Sequence, residues 1–307
     1  MIEGKRIVVT GGAGFIGSHI VEALHPGNDV IVLDDFSSGK EENLLGFSGI
    51  MILRGSITHP KHLAFAFRNA DIVFHLAARP SVPGSVADPA GSEKVNLTGT
   101  LNVLMAAKEA GVEKVVFSSS CAVYGDARPP IGEGALPRPK SPYAVQKLGA
   151  EHYCRVFQQV FGLRTVCLRY FNVFGPRQDP GSQYAAVVPV FFRDLAGRGR
   201  VTIFGDGRQT RDFIYIRDVV RANLLAAERS GADGNVVNIA TGKGTSVREL
   251  ALAIAGVTGK RLSIESRPPR EGDIRHSFAD ISQARRLLGF RPHTTLEEGL
   301  GIFSSAL

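Results

Sequence analysis

Apolar and polar positions sort the first half of the chain into two kinds of segment. Short apolar runs rich in β-branched residues occupy 5–10, 29–34, 50–54, 71–76 and 113–119, and such runs read as buried strands. Between them, apolar residues recur at helical spacing near 14–25, 58–69 and 92–110, and again over 142–161 ahead of a further strand at 164–170. Strand and helix in alternation predict an α/β fold, a doubly wound parallel sheet with helices on both faces. Ligands of such sheets sit beyond the carboxyl ends of the strands. After about residue 172 the texture changes. Residues 175–184 are turn-rich, Pro189 opens a short helix, Val201–Phe204 is strand-like before the turn Gly205-Asp206-Gly207, and 246–258 and 281–289 read as helices. This predicts a smaller C-terminal α/β lobe interleaved with the first. The boundaries expected are 1–172 for the sheet domain, with about 205–240 returning to it, and 173–307 mainly for the second lobe.

The junction of the first strand and first helix carries the strongest chemical signal. Ile7-Val8-Val9 runs into Gly11, Gly12, Gly14 and Gly17, and Ile16, Ile20 and Leu24 continue at helical spacing. Glycines there allow a tight turn and let a pyrophosphate approach the helix start, whose N–H groups and dipole favour an anion. The second strand ends in Asp34-Asp35, where acidic side chains accept from ribose hydroxyls and repel a 2′-phosphate. Together these predict a Rossmann-type dinucleotide site for NAD rather than NADP. A second signal is Tyr143-x-x-x-Lys147, downstream of Ser118-Ser119-Ser120. Positions i and i+4 share a helix face. A Lys ammonium beside a phenol favours phenolate, so Tyr143 is expected to have a lowered pKa and to act as a general base or acid, with Ser120 sharing the proton.

Composition narrows the classes. The 307 residues carry 36 Lys and Arg against 29 Asp and Glu. No long run of basic residues and no RNA-binding signature accompanies that excess, so nucleic acid is not an expected partner. No apolar run approaches the roughly 20 residues of a membrane helix. The chain opens directly on a strand, so no leader segment is expected and the cytoplasm is the expected location. Cys121, Cys154 and Cys167 lack paired spacing and read as small apolar residues; no zinc-ligand spacing occurs, and no metal is expected. His19, His75, His152 and His276 read as structural. Met105 and Phe157 read as core or interface, and Arg177 and Gln178 as loop residues near the ligand.

Taken as a set, Thr10-Gly11-Gly12-Ala13-Gly14-Phe15-Ile16-Gly17, His75-Leu76-Ala77-Ala78, Ser118-Ser119-Ser120, Tyr143-x-x-x-Lys147, Arg169 to Pro176 and Arg211-Asp212-Phe213 resemble the extended short-chain dehydrogenase/reductase family. Within it they resemble the NAD-dependent nucleotide-sugar epimerase/dehydratase branch, nearest to the UDP-hexose 4-epimerases, from Lys5 to about Leu300. The resemblance implies a catalytic set of Ser120, Tyr143 and Lys147. It implies NAD contacts at Gly11, Gly14, Phe15, Ile16, Gly17, Asp34, Asp35, Ser37, Ser38, Gly39, Ser56, Ile57, Leu76, Ala77, Ala78, Ser118 and Val173, and at Tyr143 and Lys147 themselves, with Asn96 bracing the neighbouring helix. It implies UDP-sugar contacts at Ser120, Tyr143, Asn172, Val188, Arg211 and Arg270, with Ser277 setting room at the sugar. A homodimer through the helices near 92–110 and 143–161 is implied as well. Ser56 departs from the aspartate usual in the family, so the adenine contact is expected to be weaker or differently arranged, without loss of NAD.

Dehydratases of this branch carry an acidic pair after the catalytic hydroxyl, and uronate decarboxylases a glutamate. Here Cys121-Ala122 follows Ser120, which leaves the epimerase chemistry: oxidation of a UDP-hexose at C4 to a 4-keto sugar, rotation, and return of hydride to the other face. UDP-glucose and UDP-galactose are the expected pair, with N-acetylated sugars admitted by the small Ser277. The alternatives are a uronate 4-epimerase, another nucleotide-sugar oxidoreductase, or, in a different class, a catalytically silent NAD-sensing or RNA-binding module, which would be marked by damage to the Tyr/Lys pair.

Overall fold

The structure is a computed structural model describing residues 2–179, 186–269 and 274–307. Seven parallel strands form the main sheet: β1 (Arg6–Thr10), β2 (Asp29–Asp34), β3 (Met51–Arg54), β4 (Ile72–His75), β5 (Lys114–Ser120), β6 (Arg164–Tyr170) and β11 (Val236–Ile239). Their spatial order is β11-β6-β5-β4-β1-β2-β3, with every neighbouring pair parallel. The order reverses between β1 and β4, and ligands of open parallel sheets sit at such a switch point.

Alternation along β1 shows how the sheet is covered. Ile7 and Val9 pack with Ile20 and Val21 of α1 (Phe15–Leu24) on one face. Val8 packs with Leu63 of α2 (Pro60–Ala66), Phe67, and Val103 and Leu104 of α5 (Gly99–Glu109) on the other. Burial on both faces is why these strands read as unbroken apolar runs. The helical pattern over 92–110 is three pieces in series. After α3 (Val82–Ala87), α4 (Pro89–Glu93) passes through a π turn at Lys94–Thr98 into α5. The 20-residue helix α6 (Pro142–Phe161) starts as its sequence suggests, with Ser141 accepting from the Ala144 N–H and Pro142 in the first turn, and stops at Gly162 in the left-handed region.

Beyond β6 the chain adds further elements, some around the carboxyl ends of the main sheet and one helix packed on its face beside α1. They are β7 (Asn172–Phe174), α7 (Val187–Arg198), β8 (Val201–Phe204), β9 (Thr210–Arg211), β10 (Phe213–Tyr215), α8 (Ile216–Glu228), β12 (Thr245–Ser246), α9 (Val247–Thr258), β13 (Ile264–Arg267), β14 (His276–Ser277), α10 (Ser282–Leu288) and α11 (Leu296–Ser305). They pair as β10-β7, β12-β9-β14 and β13-β8. Pro189 lies within the first turn of α7, which begins two residues earlier. The sequence pattern named no separate element for α8, β11 or α11. Among the described residues no helix is long and apolar enough to cross a membrane, and no group of three or more His, Cys, Asp or Glu is placed to hold a metal ion.

Candidate active site

One cavity of about 880 Å³ runs from the β1–α1 turn, past the ends of β4 and β5, to the β8/β9 wall. Its floor begins at the glycine turn. A Cβ on Gly17 would lie 2.1 Å from the Gly11 carbonyl oxygen, and one on Gly11 2.6 Å from the Ala77 nitrogen. Gly11 also has φ +71°, a conformation side chains rarely adopt. Helix α1 begins without a side-chain cap at Gly14, so its first N–H groups face the cavity as an anion site. A dinucleotide pyrophosphate fits this cradle.

Asp34 is nearly buried and engaged. One carboxylate oxygen accepts from the Ala13 N–H at 2.9 Å, the other from the Phe36 N–H at 2.8 Å. Burial raises its pKa, with those two bonds pulling the other way. Its first task is therefore to hold the glycine loop against β2. Asp35 accepts from the Ser37 N–H at 3.0 Å and lines the cavity with Ser37 and Ser38. Ser56 reaches the cavity, but its hydroxyl already meets the Thr58 hydroxyl at 3.0 Å and its N–H donates to His62.

The reactive groups meet at the end of β5. Ser120, Tyr143 and Lys147 all line the cavity beside Ala77 and Val173. Lys147 Nζ donates to the Ser118 carbonyl at 2.7 Å and stands 6.0 Å from the Tyr143 ring centroid. Burial lowers the Lys147 pKa to about 8, with Cys154, Glu151 and Cys167 pulling the other way. The phenol departs from the expectation stated above: burial pushes Tyr143 up to about 12, opposed by its hydrogen bond with Ser120. The ammonium is turned to the Ser118 carbonyl rather than the phenol, so its pull does not offset the loss of water. His75 is a structural residue. Thr100 Oγ1 donates to the Asn96 carbonyl at 2.7 Å, so it accepts from His75 Nε2 at 3.0 Å, while Thr10 donates to Nδ1 at 2.7 Å. This fixes a neutral imidazole, and burial holds its pKa at about 3.

Of the residues expected at the site, Gly11, Gly14, Phe15, Ile16, Gly17, Asp34, Asp35, Ser37, Ser38, Ser56, Ile57, Leu76, Ala77, Ala78, Ser118, Ser120, Tyr143, Lys147, Asn172, Val173, Val188 and Arg211 share this one cavity. Three stand behind its wall. Gly39 lies where a Cβ would sit 2.8 Å from the Ala13 Cβ. Asn96 is buried at the π turn, its amide donating to Gln146 Oε1 at 2.8 Å and its oxygen accepting from the Arg79 N–H at 2.7 Å. Ser277 is buried in β14, in register with Arg211 of β9. Arg270 lies outside the described residues. Gln178 lines the cavity, whereas Arg177 turns away to Glu22 at 2.6 Å. Sequence reasoning passed over Thr202, Ile203 and Phe204 of β8, and Asp194, Arg198, Gln209 and Arg267, all on the far wall. The apolar run before Gly205-Asp206-Gly207 was the available signal, because this strand too presents its carboxyl end to the ligand.

A glycine-turn dinucleotide site joined to a Ser/Tyr/Lys cluster at the carboxyl ends of one parallel sheet defines an NAD-dependent short-chain dehydrogenase/reductase enzyme. Comparison with known proteins agrees, and residues 7–240 match the model of the NAD dependent epimerase/dehydratase family, so the chain belongs to that family. It is 41% identical over 306 residues to the UDP-glucose 4-epimerase of Mycolicibacterium smegmatis, with 96% of each chain covered. Among solved structures it resembles the UDP-N-acetylglucosamine 4-epimerase of Methanobrevibacter ruminantium M1 in complex with UDP-N-acetylmuramic acid, with a TM-score of 0.96 and 42% identity over 99% of this chain and 98% of that one. It also resembles the UDP-glucose 4-epimerase of Thermotoga maritima with UDP-glucose, with a TM-score of 0.93 and 43% identity over 98% of each chain. The chain is thus an isomerase of the UDP-sugar 4-epimerase group that works with NAD.

Proposed function

We propose that this enzyme inverts C4 of UDP-glucose and UDP-galactose and accepts their N-acetylated counterparts. The observation that carries the reading is the company kept by Tyr143. One cavity holds it with Ser120 and Lys147 between the dinucleotide turn and Arg211, and Cys121-Ala122 stands where elimination would need an acid. Bound NAD supplies the acceptor, and then the donor, for the hydride at C4. Tyr143 takes the proton of the 4-hydroxyl, with Ser120 passing it on at the strand end. The phenol is protonated at neutral pH in the free chain, so ligand binding must bring it closer to ionisation. Lys147, with a pKa of about 8, is still cationic at pH 7 and stabilises the phenolate once formed. Arg211 and Asn172 hold the diphosphate while the keto sugar turns over. A guanidinium fork suits that task, being permanently charged and able to grip two oxygens. Arg270 is the expected second clamp.

Room for an acetamido group rests on the smallness of Ser277, buried in β14 beside Arg211 of β9, which itself lines the cavity. The homodimer is supported by an exposed apolar face on α5 and α6, where Met105, Val145, Val156 and Val160 are all more than two-fifths exposed.

Incubating the purified enzyme with UDP-glucose, UDP-galactose, UDP-N-acetylglucosamine, UDP-glucuronate and dTDP-glucose, with no cofactor added, tests the proposal by product analysis. C4 inversion of the neutral UDP-hexoses is expected. Inversion of UDP-glucuronate alone would replace the substrate assignment, and inertness toward UDP-N-acetylglucosamine would remove the N-acetyl extension. Tyr143→Phe should lower kcat by about 10²- to 10⁴-fold, as loss of a general acid–base does, while the nicotinamide still co-purifies.

A further inference from the structure

Helix α6 places a third ionisable residue in line with the reactive pair. Tyr143, Lys147 and Glu151 follow at four-residue intervals, all three buried, and the mechanism above has no use for the third. Glu151 is gripped on two sides. Arg169 of β6 binds it as a fork, Nε to Oε1 at 2.8 Å and Nη2 to Oε2 at 2.6 Å. The Ser119 hydroxyl donates to Oε1 at 2.5 Å. Ser119 and Arg169 face each other in the β5–β6 register, so one carboxylate ties α6 to both strands at a single level. Ser119 lies between Ser118, whose carbonyl receives the Lys147 ammonium, and Ser120, the hydroxyl that meets Tyr143. Arg169 extends the tie forward, its guanidinium 4.5 Å from the ring centre of Tyr124 just past Ser120.

Charge points the same way. The groups that face Lys147 are His75 on β4, Tyr143, Glu151 and Cys154 on α6, and Cys167 on β6, with Arg169 beyond Glu151. Of these Glu151 is the carboxylate, and it is ion-paired with Arg169. Without its charge, the buried Arg169 would lose its paired anion and the buried Lys147 a neighbouring one, and such burial of unpaired charge is strongly unfavourable.

We infer that Glu151, clamped by Arg169 and Ser119, is a positioning residue for the epimerase reaction, fixing the Ser118–Ser120 backbone against α6 and keeping Lys147 cationic. This rests on the proposed UDP-sugar chemistry only for its kinetic readout.

The test uses the NAD-loaded enzyme with the UDP-sugar it turns over best. Glu151→Gln should lower kcat about tenfold or more with KM within about twofold, the split expected when only the reacting geometry is lost. The basic limb of its kcat–pH profile should move to lower pH, because Lys147 loses its proton more readily. Ser119→Ala keeps the ion pair, so it should lower kcat less and leave that limb in place. It should also speed amide hydrogen exchange over Ser118–Tyr124 and nowhere else. A Glu151→Gln enzyme that keeps the parent kcat, or loses it with both limbs unmoved, overturns the inference. Should Glu151→Gln not fold, a Ser119→Ala enzyme with parental kcat and parental exchange over Ser118–Tyr124 overturns it equally. If the unmodified enzyme turns over no UDP-sugar, the substrate assignment fails, and the exchange comparison still decides the positioning claim.

Discussion

At the scale of single residues, burial outweighs charge pairing around the reactive strand. Tyr143, Lys147 and His75 are each moved toward their neutral forms by loss of water. For His75 the consequence for stability has a definite sign. The unfolded imidazole titrates near 6.5 and the folded one at about 3, so between those values the unfolded chain holds the extra proton. Stability attached to His75 is then complete above pH 6.5 and is lost as pH falls toward 3, by up to about 1.4 kcal/mol per pH unit. Comparing denaturant midpoints of the parent and His75→Gln from pH 7 to pH 4 should show a shallower acid decline in the variant. Equal slopes would mean that this imidazole is not held neutral. Lys147 gives the opposite corner of the profile: its folded pKa of about 8 lies below its ordinary 10.5, so its contribution improves as pH rises through that window.

At the scale of elements, the β1–α1 turn governs the cofactor. Because a Gly17 Cβ would fall on the Gly11 carbonyl, Gly17→Ala must open the turn. The expected outcome is at least tenfold weaker NAD binding, a change of about 1.4 kcal/mol, with little change in far-ultraviolet circular dichroism. Nicotinamide absorbance of the purified variant measures the first, and parental occupancy would refute it. This turn was legible in the sequence because glycine spacing and an apolar run are local signals, as were the bounds of α6, set by Ser141, Pro142 and Gly162. What escaped depends on distant partners. The expectation of an acidified Tyr143 used helix spacing alone and could not know that the ammonium turns to the Ser118 carbonyl. Asp34, the last residue of β2, is expected as a ribose acceptor and lines the cavity, and the bonds it also takes from the Ala13 and Phe36 N–H groups are visible only in three dimensions. Val201–Phe204 reads as a strand in the sequence, but its place on the cavity wall, like that of Arg267, follows from the β13-β8 pairing and is visible only in three dimensions.

At the scale of the whole molecule, α5 and α6 leave an apolar face in water. Val160 is 65% exposed and Phe161 47%. If two copies join through this face, Val160→Asp should convert a species of twice 32.9 kDa into one of single-chain mass by sedimentation. A parent that already sediments as a single chain would remove the dimer.

The last strand of the main sheet, β11, arrives only after the chain has left β6 and laid down part of the opposite wall. The two halves of the molecule therefore cannot be exchanged like cassettes. A chimera spliced after Tyr170, meant to graft a new sugar pocket onto this nucleotide platform, would strip β6 of its outer neighbour and leave backbone groups of Cys167–Tyr170 unpaired along a raw edge, inviting self-association. Reshaping the preference for one sugar over another must proceed by substitutions within the wall, not by transplanting it.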